Sequence, residues 1–280
     1  MMPETVIELD NDGLNMAADE NRLYVRCKMD MCSYSKKDMS ELSCNTVFKK
    51  DGKARTFSLF GDFVYLTDFC DLYILNKNDF QVLQVFRIGH DLSSDLGVVR
   101  FDSFHAYIAV RNGAMAVLDV LTHEYRVCDV ASSSFWDFCV IDNLIYAGTT
   151  QGELLEIDTG KMQVLRKVLL GNKNIYGVVR YGDYLYTVSQ DMSIKALHAD
   201  TLEIAFQAKK ATKGMARILG VYQENLFVAD SNKVSVWDTS TLHHQDTVAF
   251  PTGQYNKGVL LSDGMLFGSD SHYIYQMILV

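Results

Sequence analysis

The stretch "RYGDYLYTVSQDMSIKALHADTLEIAFQ", Arg180 to Gln207, holds three short apolar alternations separated by polar turns. Runs of about five alternating residues, bounded by Gly, Asp, Asn and Ser, read as strands joined in hairpins. The core of this stretch has relatives along the chain: "DFVYLTDFCDLYILNKND" at 62–79, "NLIYAGTTQGELLEIDTG" at 143–160 and "ENLFVADSNKVSVWDTST" at 224–241. Aligning the aromatic of each copy gives Tyr24, Tyr65, Tyr107, Tyr146, Tyr186, Phe227 and Phe267. The gaps between them are 41, 42, 39, 40, 41 and 40 residues. Seven such units account for the whole chain of 280 residues. A fixed period of this length identifies a repeat architecture, in which each unit is too small to bury its own apolar face.

Each unit has the same internal order. A first strand such as "GVVRF" (97–101) or "GVVRY" (177–181) leads through a Gly/Asp/Asn turn to a second strand that holds the aligned aromatic. A tight polar turn ("TTQGE", "SQDMS", "DSNKV") follows, then a third strand ("LLEID", "IKALH", "VSVWD"). A turn such as "DTGK" or "DTST" leads to a fourth, such as "VLRKVLL" (164–170). Sustained helical spacing is absent, and the only prolines are Pro3 and Pro251. Four antiparallel strands per unit make a propeller blade. The expected fold is all-β: a seven-bladed β-propeller with four antiparallel strands per blade, one domain over residues 1–280.

The exits and entrances of the units resemble a known family. "VFRIGHDLSSDLGVVRF" (85–101) is similar to the Gly-His start of a WD repeat, at Gly89 and His90, and "VSVWDTSTL" (234–242) to its Trp-Asp finish, at Trp237 and Asp238. Leu118-Asp119 and Ile157-Asp158 keep the acid without the tryptophan, while Leu75-Asn76 and Leu197-His198 keep neither. The chain thus resembles a divergent WD-repeat-like propeller: the period spans all of it, the diagnostic dipeptides one or two blades. The resemblance implies a hydrogen-bonding role for His90 inside its blade. It also implies a rigid scaffold for protein–protein interaction, although fold alone does not set function.

The last unit stops after "YIYQMILV", a third strand with no fourth, while "TVIELD" (5–10) is an apolar strand left over before the first unit. Residues 5–10 are therefore expected to complete the C-terminal blade, because an open ring would leave two unpaired sheet edges and an uncovered apolar face.

Composition narrows the functional classes. A formal charge of −9 argues against nonspecific nucleic-acid binding, which depends on Lys and Arg displacing counterions from phosphates. No apolar run has the length of a membrane helix, and "MMPETVIELD" has acids where a signal peptide has basic residues. The expectation is a cytoplasmic or nuclear protein, monomeric by itself, with protein or peptide partners and neither nucleic-acid nor membrane binding. The six cysteines, Cys27, Cys32, Cys44, Cys70, Cys128 and Cys139, form no Cys-x-x-Cys pair and read as reduced, mostly buried residues.

Catalytic motifs are missing: there is no Gly-x-Ser-x-Gly elbow, no phosphate loop and no His-Glu-x-x-His. The seven histidines fall at different places in their blades, and the turn aspartates read as turn formers. No cofactor, metal or catalytic residue is expected. The rival reading, a hydrolase or lactonase with a metal on the channel axis, needs ligands that the sequence does not converge.

One constellation stands out. Ten residues before each aligned aromatic, where the innermost strand begins, lie Leu14, Arg55, Gly97, Trp136, Tyr176, Arg217 and Lys257. In a propeller these positions ring the channel mouth on the face that carries the inter-blade loops. Lys53, Arg100, Phe135, Arg180, Lys213 and Tyr255 are neighbours in sequence, and "AKKATKG" (208–214) is a loop on the same face. Arg offers a planar fork to carboxylates or phosphates, and Trp and Tyr supply stacking area. Arg55, Trp136, Tyr176, Arg217 and Lys257 are thus the candidate site for an acidic or phosphorylated peptide. The competing reading has the aromatics packed between blades and the cations paired with Asp102, Asp137 or Asp183.

Overall fold

Side chains alternate across a strand, and here both faces of each unit are apolar, so every sheet requires a neighbour on each side. A computed structural model shows how the chain supplies them. It describes residues 4–8, 13–27, 29–47, 54–89, 95–230, 233–249, 258–269 and 273–279, with the side chains of 4–6, 13–14 and 54–55 outside the description.

Strand β1 (Glu4–Glu8) comes first, and seven blades follow in chain order. Blade 1 is β2–β5 (Gly13–Ala18, Arg22–Cys27, Asp30–Ser35, Glu41–Thr46), and blade 2 is β6–β9 (Ala54–Phe60, Phe63–Asp68, Asp71–Asn76, Val82–Arg87). Blade 3 is β10–β13 (Leu96–Phe101, His105–Val110, Ala114–Asp119, Tyr125–Asp129), and blade 4 is β14–β17 (Phe135–Ile141, Leu144–Thr149, Glu153–Asp158, Gln163–Leu169). Blade 5 is β18–β21 (Ile175–Tyr181, Tyr184–Ser189, Ile194–His198, Ile204–Ala208), and blade 6 is β22–β25 (Ala216–Tyr222, Asn225–Asp230, Lys233–Asp238, His244–Ala249). Blade 7 is β26–β28 (Gly258–Ser262, Met265–Ser269, Tyr273–Ile278) with β1 as its fourth strand. All pairings are antiparallel, and each first strand touches the first strand of the next blade, with β26 returning to β2. The fold is the seven-bladed propeller that the period predicts.

The apolar clusters lie between blades rather than within them. Tyr107, Met115 and Val117 of blade 3 meet Phe138, Ile145 and Leu155 of blade 4, and each other junction repeats the arrangement. All seven aligned aromatics sit in these cores, from 0% to 4% exposed, which is why their spacing marks the repeat.

The face opposite the inter-blade loops is held by a recurrent turn. In blades 1 to 6 the fourth residue after the end of the third strand donates its N–H back to that strand end: Met39, Phe80, His123, Met162, Leu202 and Leu242, at 2.8–3.0 Å. All six have positive φ, from 53° to 62°. A left-handed residue with a side chain costs about 1–2 kcal/mol. Burial of Phe80, Met162, Leu202 and Leu242 between blades offsets that cost. The turn aspartates act as expected, since Asp119 and Asp238 accept the backbone N–H groups of the next turn residues.

Closure follows the expectation with a small shift. Glu4, Thr5, Ile7 and Glu8 pair with Gln276, Tyr275, Ile274 and Tyr273 of β28, so the strand is Glu4–Glu8, while residues 9–10 lie outside the description. Ile7 enters the core between blades 7 and 1 with Leu23, Val25, Phe267 and Ile274. On the same junction the buried Lys36 ammonium reaches Asp263 Oδ2 at 2.5 Å, Ser262 Oγ at 3.3 Å and the Asp19 carbonyl at 3.0 Å.

One expectation is corrected: the cysteines are not all free. Cys32 of β4 and Cys44 of β5 lie directly opposite, with Cα atoms 4.0 Å apart, and form a disulfide. The pairing depends on strand register, which no cysteine spacing reveals. Cys27 and Cys70 are buried and Cys128 and Cys139 half-buried, all four outside any disulfide.

If closure through β1 holds the ring, Ile7→Asp places a carboxylate in the blade 7–1 core at a cost of about 2–4 kcal/mol. Thermal denaturation should then show Tm lowered by roughly 4–10 °C. Glu8→Ala, at an exposed position, should melt like the parent chain; an unchanged melt for Ile7→Asp would refute the closure argument.

Candidate functional site

The first strand of a blade runs along the channel, and a local interruption of its pairing re-aims whatever side chain sits there. Such interruptions occur at the candidate positions. Phe135 pairs with Thr149 and Asp137 with Gly148, which leaves Trp136 as the extra residue of a β-bulge. Tyr176 is left over between Ile175 and Gly177, Arg55 between Ala54 and Thr56, and Leu14 between Gly13 and Asn15. In blade 3 Gly97 and Val98 together face Ala109. Blade 6 departs from the pattern: Arg217 pairs with Ala229, and the extra residue is Leu219. The Arg55 side chain, Lys53, His90, Tyr255 and Lys257 lie outside the described residues.

The structure brings Trp136 and Tyr176 together, with ring centroids 5.3 Å apart and planes at 78°. Tyr176 is buried between blades 5 and 6 beside Ala211 and Ala216. Trp136 keeps 42% of its surface exposed. Tyr176 packs between blades, and the Trp136 indole rests edge to face on that anchored ring across the blade 4–5 junction while presenting its remaining surface to solvent. Phe135 is buried, and Arg217 is exposed.

Beneath this rim the channel carries a charged cluster. Arg100 of β10 bonds Asp137 of β14 at 2.7 Å. The backbone N–H groups of Phe138 and Val178 also donate to this carboxylate, and Arg217 adds its charge from blade 6. Burial still has the larger effect and pushes the Asp137 carboxyl up. Burial also pushes the neighbouring Cys139 thiol up to about 12, with the Asp137 charge adding to it, so this thiol is a poor nucleophile. Arg180, by contrast, turns to the opposite face and donates to the Gly182 carbonyl.

The turn between the second and third strands of blade 5 adds residues that the sequence reading missed. In blades 3 and 4 this turn contains Gly113 and Gly152, at φ 90° and 81°, and each accepts an N–H from the following inter-blade loop. A Cβ on either glycine would meet a loop carbonyl at 2.3–2.4 Å. Met192 takes the same place in blade 5, at φ 65°, and accepts the Ala211 N–H at 2.8 Å. Its side chain is exposed, as is that of Met215 further along the same loop. The loop carries Lys209, Lys210 and Lys213, all exposed and without an acid among them. The available signal was the methionine of "SQDMS" where "TTQGE" has glycine.

A polar network fixes this turn. Lys195, only 3% exposed, bonds Asp191 Oδ2 at 3.0 Å and Ser193 Oγ at 2.6 Å, while Ser193 and Ser189 donate their hydroxyls to Asp191 Oδ1. Burial raises the Asp191 carboxyl, but the Ser189 and Ser193 hydroxyls and the Lys195 ammonium outweigh it and hold it at about 2. Every member of the network has a partner within it, as a structural brace requires.

Among the described residues, one group of three Cys, His, Asp or Glu side chains is close enough to share a metal ion: Cys32, Glu41 and Cys44 on blade 1. It lies on that blade's outer strands, away from the channel.

No family model matches the sequence. No curated protein matches it either. Among solved structures, a chain of the mitotic checkpoint complex superposes with a TM-score of 0.85 at 14% identity, over 100% of this chain and 92% of that one. The computationally designed Ika8 protein superposes with a TM-score of 0.75 at 10% identity, over 98% of each chain. At identities this low the superpositions show a shared fold and nothing beyond it.

The Asp191 carboxyl is held at about 2 in the folded chain, below the ordinary aspartate value of 3.8, so its contribution to stability is complete above about 3.8. It is lost as pH falls through about 2. Asp191→Asn should therefore melt below the parent chain at pH 7, and the gap should close on acidification between those two values. A gap independent of pH down to 2 would exclude the charged role assigned to Asp191.

Proposed function

We propose that the chain is a noncatalytic interaction platform that presents the loop-rich face around its channel to a protein partner. In this reading the ligand is an acidic or phosphorylated peptide segment. Trp136 supplies the apolar anchor on Tyr176, and Arg217, with Arg55 and Lys257, supplies the cations. The observation that carries it is a large aromatic left half-exposed on a buried ring, with an exposed Arg217 on the first strand two blades further on, in a chain of net charge −9. Solvent-facing Trp and Arg are the residue types that dominate binding hot spots. Rigid blades support this reading, because a preformed rim loses little conformational entropy on binding. The match to a chain of a multiprotein assembly, the mitotic checkpoint complex, favours it over catalysis.

Arrays of neutral, acidic and phosphorylated peptides test the reading. The parent chain should retain the acidic and phosphorylated members selectively. Arg217→Glu should abolish that selectivity, and Trp136→Ala should weaken retention by at least about tenfold. Circular dichroism should be unchanged for both variants. Equal retention of neutral and acidic peptides, or no effect of either substitution, would overturn the assignment.

A further inference from the structure

Blade 1 carries a group of side chains that the propeller fold does not require. Cys32 on β4 faces Cys44 on β5, and their Cα atoms are 4.0 Å apart. Glu41 lies three residues before Cys44, which in a regular strand would put it on the opposite face. The register shift between Ser33 and Tyr34, where Tyr34 pairs with Glu41, inserts one extra residue into β5 and turns Glu41 back to the cysteine face. One oxygen of its carboxylate and both sulfurs lie within 4.8 Å of one another. Cys32 is buried, whereas Cys44 and Glu41 are exposed.

The other blades show that this set is local. The positions equivalent to Cys32, Cys44 and Glu41 carry Tyr73, Val85 and Val82 in blade 2. They carry Leu155, Lys167 and Val164 in blade 4. Packing at these positions is therefore satisfied by apolar or basic residues, and two thiols with a carboxylate are specific to blade 1.

We propose that Cys32, Cys44 and Glu41 form a two-state thiol site, closed as a disulfide when oxidised and open to one zinc-type divalent cation when reduced. Two thiolates and a carboxylate are the donor set such an ion takes, at about 2.3 Å for sulfur and 2.0–2.2 Å for oxygen. Tetrahedral angles then place the donors roughly 3.3–3.8 Å apart, so the two sulfurs part once the S–S bond opens, and the Glu41 oxygen already lies within 4.8 Å of both. Water fills the fourth position on the exposed side. Reduction by a phosphine breaks the S–S bond: phosphorus loses two electrons and takes the oxygen of one water, and the two sulfurs leave as thiols. Metal binding then releases the two thiol protons, so the reduced site binds more tightly as pH rises. Cys32 also packs in the blade 7–1 core, which places the site beside the ring closure.

Cobalt(II) serves as the spectroscopic probe for the phosphine-reduced full chain. One equivalent should give a thiolate-to-cobalt charge-transfer band, which equimolar zinc displaces. Cys44→Ser, which leaves Cys27, Cys70, Cys128 and Cys139 in place, should lose the band. Glu41→Gln should keep it with affinity lowered at least about tenfold. The oxidised chain should show no band. Its absence in the reduced parent, or its full retention in Cys44→Ser, would overturn the site; unchanged affinity in Glu41→Gln would overturn the three-ligand assignment. Circular dichroism of Cys44→Ser separates a lost ligand from a lost fold.

Discussion

Burial between blades is the constraint on which the rest of the structure depends. Tyr107, Phe138 and Ile145 are almost fully buried, yet they come from two different sheets. A blade alone would expose them, so no blade has an independent core, and each gains stability only from its neighbours. The ends of the chain then become critical, since the last sheet has three strands of its own and takes the fourth from Glu4–Glu8. Ile7 and Lys36 join the first blade to the last by the two means available, apolar packing and a nearly buried ammonium with three oxygen partners.

A frame of this kind separates rigidity from variation. Strands and turns on the face opposite the inter-blade loops repeat closely, down to six left-handed turn residues with the same hydrogen bond. The loop-bearing face is where blades differ. Blade 5 has methionine where blades 3 and 4 need glycine, and its following loop is longer and basic. A brace of Ser189, Asp191, Ser193 and Lys195 holds the irregular turn. Bulges in the innermost strands serve the same division, because each diverts one side chain from the ladder without disturbing the sheet.

Much of the candidate site was legible because it follows from period. Counting back from the aligned aromatics led to Trp136 and Tyr176, and both are the extra residue of a bulge. Arg217 was found by the same count, although its blade moves the bulge to Leu219. Sequence could not distinguish the buried Tyr176 from the exposed Trp136. That difference rests on which residues of blades 5 and 6 close over each ring. Sequence offered Asp137 among three acids as a partner for the cations, but did not show that Arg100, 37 residues away on the neighbouring blade, is the one that takes it.

The amino-acid sequence by itself determined the number of blades, the strand order within them and the need for an N-terminal strand to complete the last one. Hydrophobic alternation and a forty-residue period are local properties that a linear chain displays directly. Only the tertiary structure decided what depends on register and on the approach of one sheet to the next. The disulfide between Cys32 and Cys44, the return of Glu41 to their face and the exposure of Met192 all belong to this group. A shift of one residue reverses the face on which a side chain lies, and nothing along the chain records that choice until the strands have paired.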